Sequence, residues 1–101
     1  MDRMYSIDDL LELVNAERAD ELRIHVGAPP IIVLQGDHET IEGPAITAED
    51  AEQLLQSIAN TRQRRELRER GAVRFIYRFR RSTDFVVCAR MEGESIGIDI
   101  H

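Results

Sequence analysis

Apolar residues recur along this chain with two different periods, and each change of period marks an element. Ile7, Leu10, Leu11 and Val14 repeat at helical spacing. Ser6 precedes them and Asp9 stands three residues after Ser6, the capping-box arrangement that opens a helix. A first helix is therefore expected over about residues 7–18. From Glu21 the period falls to two: Leu22, Ile24 and Val26 point one way, Arg23 and His25 the other, as in a half-buried strand. Gly27-Ala28-Pro29-Pro30 breaks that strand, glycine permitting a positive φ and proline fixing the turn. Ile31 to Leu34 reads as a second strand, Gly36-Asp37 as a tight turn, and His38 to Ile41 as a short third strand that closes a hairpin.

Gly43-Pro44 ends this first half. Thr47 and Asp50 repeat the capping pattern before Ala51, Leu54, Leu55 and Ile58, giving a second helix over about 48–59. Thr61 is expected to cap a third, very polar helix over 62–70, anchored by Leu67 and closed by Gly71. The last third reads as a three-strand meander. Val73, Phe75, Tyr77 and Phe79 alternate with Arg74, Ile76, Arg78 and Arg80. Phe85, Val87, Ala89 and Met91 alternate with Val86, Cys88 and Arg90, and Ile96, Ile98 and Ile100 with Gly97 and Asp99. The short turns at Arg81-Ser82-Thr83 and Glu92-Gly93-Glu94 favour antiparallel neighbours. Strands and helices grouped in this way predict an α+β fold: an antiparallel sheet with helices packed on one face.

Composition narrows the functional classes. A length of 101 residues fits one domain, and 43% apolar with 32% charged residues is ordinary globular usage. No apolar run approaches the roughly 18 residues that cross a membrane, and the start of the chain has no secretory pattern. Cys88 stands alone, so no internal disulfide is expected, and a cytoplasmic location is the default. The net charge of −6 argues against nucleic acid as a partner. That charge is uneven: residues 1–60 hold 3 Arg against 13 acids, residues 61–101 hold 10 Arg against 6. Every base among the 13 is Arg, and a Walker A loop needs a Lys to reach the β- and γ-phosphates.

Residues 19–37 carry a more specific pattern. Gly27, Pro29, Pro30, Gly36 and Asp37 match without a gap the Gly-x-Pro-Pro and Gly-Asp spacing that opens the N-terminal domain of the type IV pilus retraction ATPases and the related type II secretion ATPases. Ile46-Thr47-Ala48-Glu49-Asp50 resembles that family's second helix start. Gln63-Arg64, Gly71 and the aromatic positions of Phe75 to Tyr77 extend the resemblance over roughly residues 6–91. It implies a PAS-like α+β fold. It also implies a domain that in the family precedes a RecA-like motor, with every group that binds and splits ATP lying in that motor. Arg74 stands where the family has an acid, which implies a retained fold under a changed surface.

No catalytic, cofactor or metal residues are expected. His25, His38 and His101 have no metal-ligand pattern, Cys88 has no marked base and reads as a small core residue, and Asp8-Asp9 and Asp20-Glu21 sit where helix-dipole or surface roles explain them. Arg62, Arg64, Arg65, Arg68 and Arg70 read as a solvated helix face with Arg62–Glu66 and Glu66–Arg70 pairs. Gly27, Pro29, Pro30 and Gly36 are structural turn residues. The feature with two readings is the Arg74, Arg78, Arg80 and Arg90 stripe. It is either a solvated sheet face partnered by Glu92, Glu94 or Asp99, or a docking surface for an acidic partner. Nucleic acid is a third reading, weakened because Phe75, Tyr77 and Phe79 lie opposite the stripe, facing the core. Function is expected to be that of a non-catalytic interaction or regulatory module. A motor ATPase or another pilus or secretion component, serving twitching motility or secretion, is the implied partner, and a PAS-like small-ligand sensor is the alternative. Titration calorimetry with Mg-ATP is expected to give no saturable heat; a micromolar dissociation constant would contradict this reading.

Overall fold

The structure is a computed structural model that describes residues 5–101. Three helices and six strands follow one another as α1 (Ile7–Glu17), β1 (Glu21–Ile24), β2 (Ile31–Leu34), β3 (Asp37–Thr40), α2 (Ala48–Ile58), α3 (Thr61–Arg70), β4 (Ala72–Phe79), β5 (Thr83–Glu92) and β6 (Ser95–Ile100). The strands form one sheet in the order β3-β2-β1-β6-β5-β4, antiparallel at every junction. This is the α+β arrangement that the hydrophobic pattern predicts. The helices pack on one face, where Leu11, Leu55 and Leu67 meet Leu22, Ile24, Val87, Ile98 and Ile100 in one cluster of fully or almost fully buried side chains.

Local chemistry sets the helix ends. Ser6 accepts from Asp9 N at 3.4 Å. Thr47 and Asp50 form a reciprocal capping box with both bonds at 3.0 Å, as the sequence predicts. The third helix starts differently. Its cap is Asn60, not Thr61: Asn60 accepts from Gln63 N at 2.8 Å while Gln63 Oε1 accepts from Asn60 N at 2.9 Å. Asn is as good an N-cap as Thr, and Gln at the third position completes the box. Neither expected pair within α3 forms among the described residues; Arg68 instead reaches across to Glu52 of α2 at 3.3 Å.

Two turns also differ in detail. The β2–β3 hairpin turns on Gln35-Gly36, with φ of 50° and 88°, so Asp37 already belongs to β3 opposite Leu34. A two-residue turn with both φ positive matches the twist of the strands, and Asp20 Oδ2 accepts from Gln35 N at 2.9 Å to hold it. At the other end, β1 stops at Ile24, and Val26 is 37% exposed rather than inward-facing. The reason is the next residue: Gly27 takes φ of 102° and donates to Ile46 O at 2.9 Å, while Ile46 N returns a bond to Ala28 O at 2.9 Å. Pro30 is fully buried and its carbonyl accepts from Ile41 N at 2.8 Å. The Gly27–Pro30 turn thus has a structural job, tying the hairpin to the lead-in of α2.

On β4 the alternation holds. Val73 and Phe79 are buried, Phe75 and Tyr77 are half-buried against the core, and Arg74, Ile76 and Arg78 are exposed. Replacing Leu55 with Ala should therefore cost about 2–5 kcal/mol by cavity formation. Phe75→Ala should cost less, because part of its ring already meets solvent. Urea melts of the two variants check both; equal small losses below about 0.5 kcal/mol would contradict this core.

Candidate interaction face

Helices cover one face of the sheet, and the other carries charged and polar side chains with Ile31, Val33, Ile76 and Val86 among them. Cross-strand register decides which of them meet. Arg23 of β1 stands opposite Asp99 of β6, Asp99 opposite Cys88 of β5, and Cys88 opposite Arg74 of β4. One row across four strands therefore reads Arg, Asp, Cys, Arg. The neighbouring row adds Arg90 opposite Gly97.

Asp99 is the hub. Its Oδ1 lies 3.0 Å from His25 Nε2 and its Oδ2 accepts from Arg90 at 3.0 Å. Glu92 Oε1 lies 3.1 Å from His25 Nδ1, and Glu92 Oε2 is 3.9 Å from Arg90. The four side chains close a ring of alternating charge. Both imidazole nitrogens can donate at once only when the ring is protonated. Partial burial pulls the His25 pKa down, but the hydrogen bonds that the protonated ring donates to Asp99 and Glu92 outweigh it, and the pKa is raised above its ordinary 6.5. Gly97 makes room for this ring. A Cβ there would lie 2.5 Å from the Glu92 carboxylate, so any side chain would push Glu92 off the sheet.

The stripe named from sequence divides. Arg90 belongs to the ring. Arg78 donates to Asp84 at 2.8 and 3.3 Å, directly across β4–β5, and this bond holds the Asp84 carboxyl below its usual pKa. Arg80 does not share their face. The strand ends at Phe79, Arg80 and Arg81 take φ of 53° and 62°, and the alternation is lost. The Arg80 guanidinium instead lies 4.8 Å over the Phe79 ring and 3.4 Å from Glu12 of α1. Arg74 is exposed and makes no ion pair among the described residues. Cys88, read from sequence as a core residue, lies half-buried on this polar face between Asp99 and Arg74. The inward positions on either side of it, Val87 and Ala89, fill the core instead.

Asp99 and Glu92 are the arginine partners expected from the sequence, and His25 is a further member of the ring that the sequence pattern does not reveal. The alternation of β1 puts Arg23 and His25 on the outer face; what it does not reveal is that β1 lies beside β6, some 75 residues away in the chain. Chemically the ring is saturated. Each carboxylate of the ring already faces a cation, so the arrangement orders charge on the surface.

No family model matches the chain, and no curated protein matches it. Solved structures do. The pilus retraction motor PilT with bound ADP superposes with a TM-score of 0.87 at 22% identity, over 96% of this chain and 29% of that one. The ATPase DotB of Legionella pneumophila gives 0.83 at 20% identity, over 99% and 30% of the two chains. DotB of Yersinia pseudotuberculosis gives 0.74 at 14% identity, over 100% and 30%. At these identities the likeness is one of fold. The chain has the fold of a part of these motor ATPases and spans about three-tenths of their length.

The ring makes stability depend on pH with a defined sign. A histidine whose pKa is raised on folding stabilises the protein below its unfolded pKa, here 6.5, and that contribution is lost as pH rises through the raised folded value. His25→Gln should therefore lower the melting temperature at pH 6 and leave it nearly unchanged at pH 9. The difference at pH 6 should be worth no more than about 1 kcal/mol, the scale of partly exposed ion pairs. Paired thermal melts at the two pH values measure it; a larger effect at pH 9 would contradict the assignment.

Proposed function

We propose that this domain is a non-catalytic docking module of the type IV pilus or type II secretion machinery. It acts in the cytoplasm and binds a motor ATPase or another component of the machine through its open sheet face. The single observation that carries the reading is a fold match over almost the whole chain to part of three motor ATPases, joined to a sheet face that none of the described helices covers. Docking is also the use that a saturated charge surface allows. Arg90 and Asp99 are held in place by their mutual bond, so the face is ordered before a partner arrives, and little side-chain entropy remains to be lost on binding.

A small-ligand sensor would place its ligand between sheet and helices. The centre of that space is filled by Leu11, Leu22, Ile24, Ile46, Leu55 and Ile98, all buried to within 2% of full enclosure. A groove of about 530 Å³ remains at its rim, between Ser6 and Asp8 at the start of α1, Gln53 and Ser57 of α2, and Tyr77 of β4. The closed centre favours the docking reading.

The test uses one double variant, Arg74→Glu with Arg78→Glu, and a purified pilus motor ATPase from the same cell. The thermal melt should stay nearly unchanged, because both arginines are exposed. Capture of the ATPase by the wild-type domain should weaken with salt, and the variant should lose it at least tenfold. Capture that is unchanged in the variant would return these arginines to a solvated role.

A further inference from the structure

Of the six strands among the described residues, β4 is the long one whose outer edge no other described strand pairs with. It pairs with β5 alone, runs for eight residues, and ends the sheet. The hydrogen-bond phase of that pair fixes which backbone groups are used. Met91 N donates to Gly71 O at 2.9 Å, so Gly71 and Met91 form a hydrogen-bonded pair just below the strand. Stepping by two, Val73–Ala89, Phe75–Val87 and Tyr77–Phe85 are hydrogen-bonded pairs as well. The residues between them, Ala72, Arg74, Ile76 and Arg78, then turn both N–H and C=O away from β5, toward the open edge.

These are also the residues whose side chains stand on the open face. Ile76 is 67% exposed, an unusual state for a large apolar side chain in the middle of a strand. Arg74 flanks it on one side without an ion pair among the described residues, and Arg78 flanks it on the other, held by Asp84 in an exposed pair that leaves N–H groups of its guanidinium free to donate. At the start of β4, Arg70 and Arg90 join Arg74 along a groove of about 520 Å³ that also includes Glu66, so three arginines there face one acid of the groove. One edge therefore offers unpaired backbone, an apolar centre and positive charge on both sides of it.

We infer that β4 receives an extended strand from another protein, one that places an apolar residue opposite Ile76 and acidic residues opposite Arg74 and Arg78. Directly opposed side chains on adjacent strands lie close enough to pair, which makes this alternation the recognition code. The edge argues against a second copy of the chain. Antiparallel self-pairing about Ile76 would set Arg74 against Arg78 of the other copy, and like charges directly opposed are destabilising. Joining β4 to the β3 edge of a second copy fails too. The β3 residues on the open face are His38 and Thr40, which supply no acid, and β3 is four residues long.

This inference rests on the docking reading and names its mode and its partner chemistry. Its test uses two seven-residue peptides and the isotopically labelled domain. One peptide is Thr-Glu-Thr-Val-Thr-Glu-Thr; the other has Lys in place of each Glu. The acidic peptide should bind at least tenfold more tightly than the basic one, with the gap shrinking as salt rises. At saturation, amide exchange at Arg74, Ile76 and Arg78 should slow at least tenfold. Ile76→Pro removes one outward N–H and should weaken the acidic peptide at least tenfold, and proline is tolerated at such edge positions. Arg74→Glu should do the same with no change of backbone. Equal binding of the two peptides, binding without amide protection, or slow exchange at these amides before any peptide is added would overturn strand addition. Peptide results and motor-ATPase capture fail separately. Capture without acidic-peptide binding overturns the edge mode alone. Edge binding without capture overturns the motor partner alone.

Discussion

The pairing of β1 with β6 is the constraint on which the rest of this domain depends. Leu22 faces Ile100, Arg23 faces Asp99 and Ile24 faces Ile98 across it. It joins residues near the two ends of the described chain, so it closes the longest loop of any strand pair in the sheet and has the largest single closure cost. What offsets that cost is burial. Leu22, Ile24, Ile98 and Ile100 are completely enclosed, and each buried aliphatic side chain is worth about 1.5–3 kcal/mol. Without this junction there would be a hairpin on one side and a meander on the other, neither with enough sheet to cover three helices. With it, one six-stranded sheet spans the domain.

The same junction makes both faces. Side chains alternate on a strand, so the register that buries Ile98 and Ile100 must place Asp99 outside. The register that buries Leu22 and Ile24 must place Arg23 outside, directly across from it. His25 comes one step later, and Glu92 and Arg90 lie on the next strand. The charge ring is thus a geometric consequence of the core, and the core could not slip by one residue without driving Asp99 and Arg23 inside. The ring in turn penalises that slip, since unpaired charge would have to be buried. Specificity of register is the work these polar residues do for the fold.

Much of this was legible in the sequence because the signals are local. Period, caps and turns place every element to within a residue or two, and the resemblance to the pilus-motor N-terminal domain is matched by the fold. The misses have one physical cause each. Thr61 and Asn60 are adjacent residues that both cap well, and the choice between them was settled by which one Gln63 could answer. Val26 looked inward because alternation was extended one step beyond the point where Gly27 turns the chain. Arg80 was counted with Arg74 and Arg78 for the same reason at the end of β4. His25 was passed over because its partners are distant in sequence, and strand order across a sheet is not written in the periodicity of any one strand.

Which charges on the open face remain available to another molecule follows from the same accounting. Arg90 is committed to Asp99, and Arg23 donates to Glu21 at 3.2 Å. Drawing either away would take a hydrogen-bonded cation from a partly buried carboxylate, at a cost that a partner would have to offset. Arg78 is held by Asp84, but that pair is more than half exposed on the arginine side and is worth little. Arg74 has no such tie among the described residues. The affinity of the face for an acidic group should therefore rise from the β1–β6 centre, where charge is saturated, toward β4, where it is not. That gradient runs to the strand whose outer backbone groups are also unpaired. Electrostatics and hydrogen bonding thus favour the same side of the sheet for independent reasons: one is set by the cross-strand partners, the other by strand order.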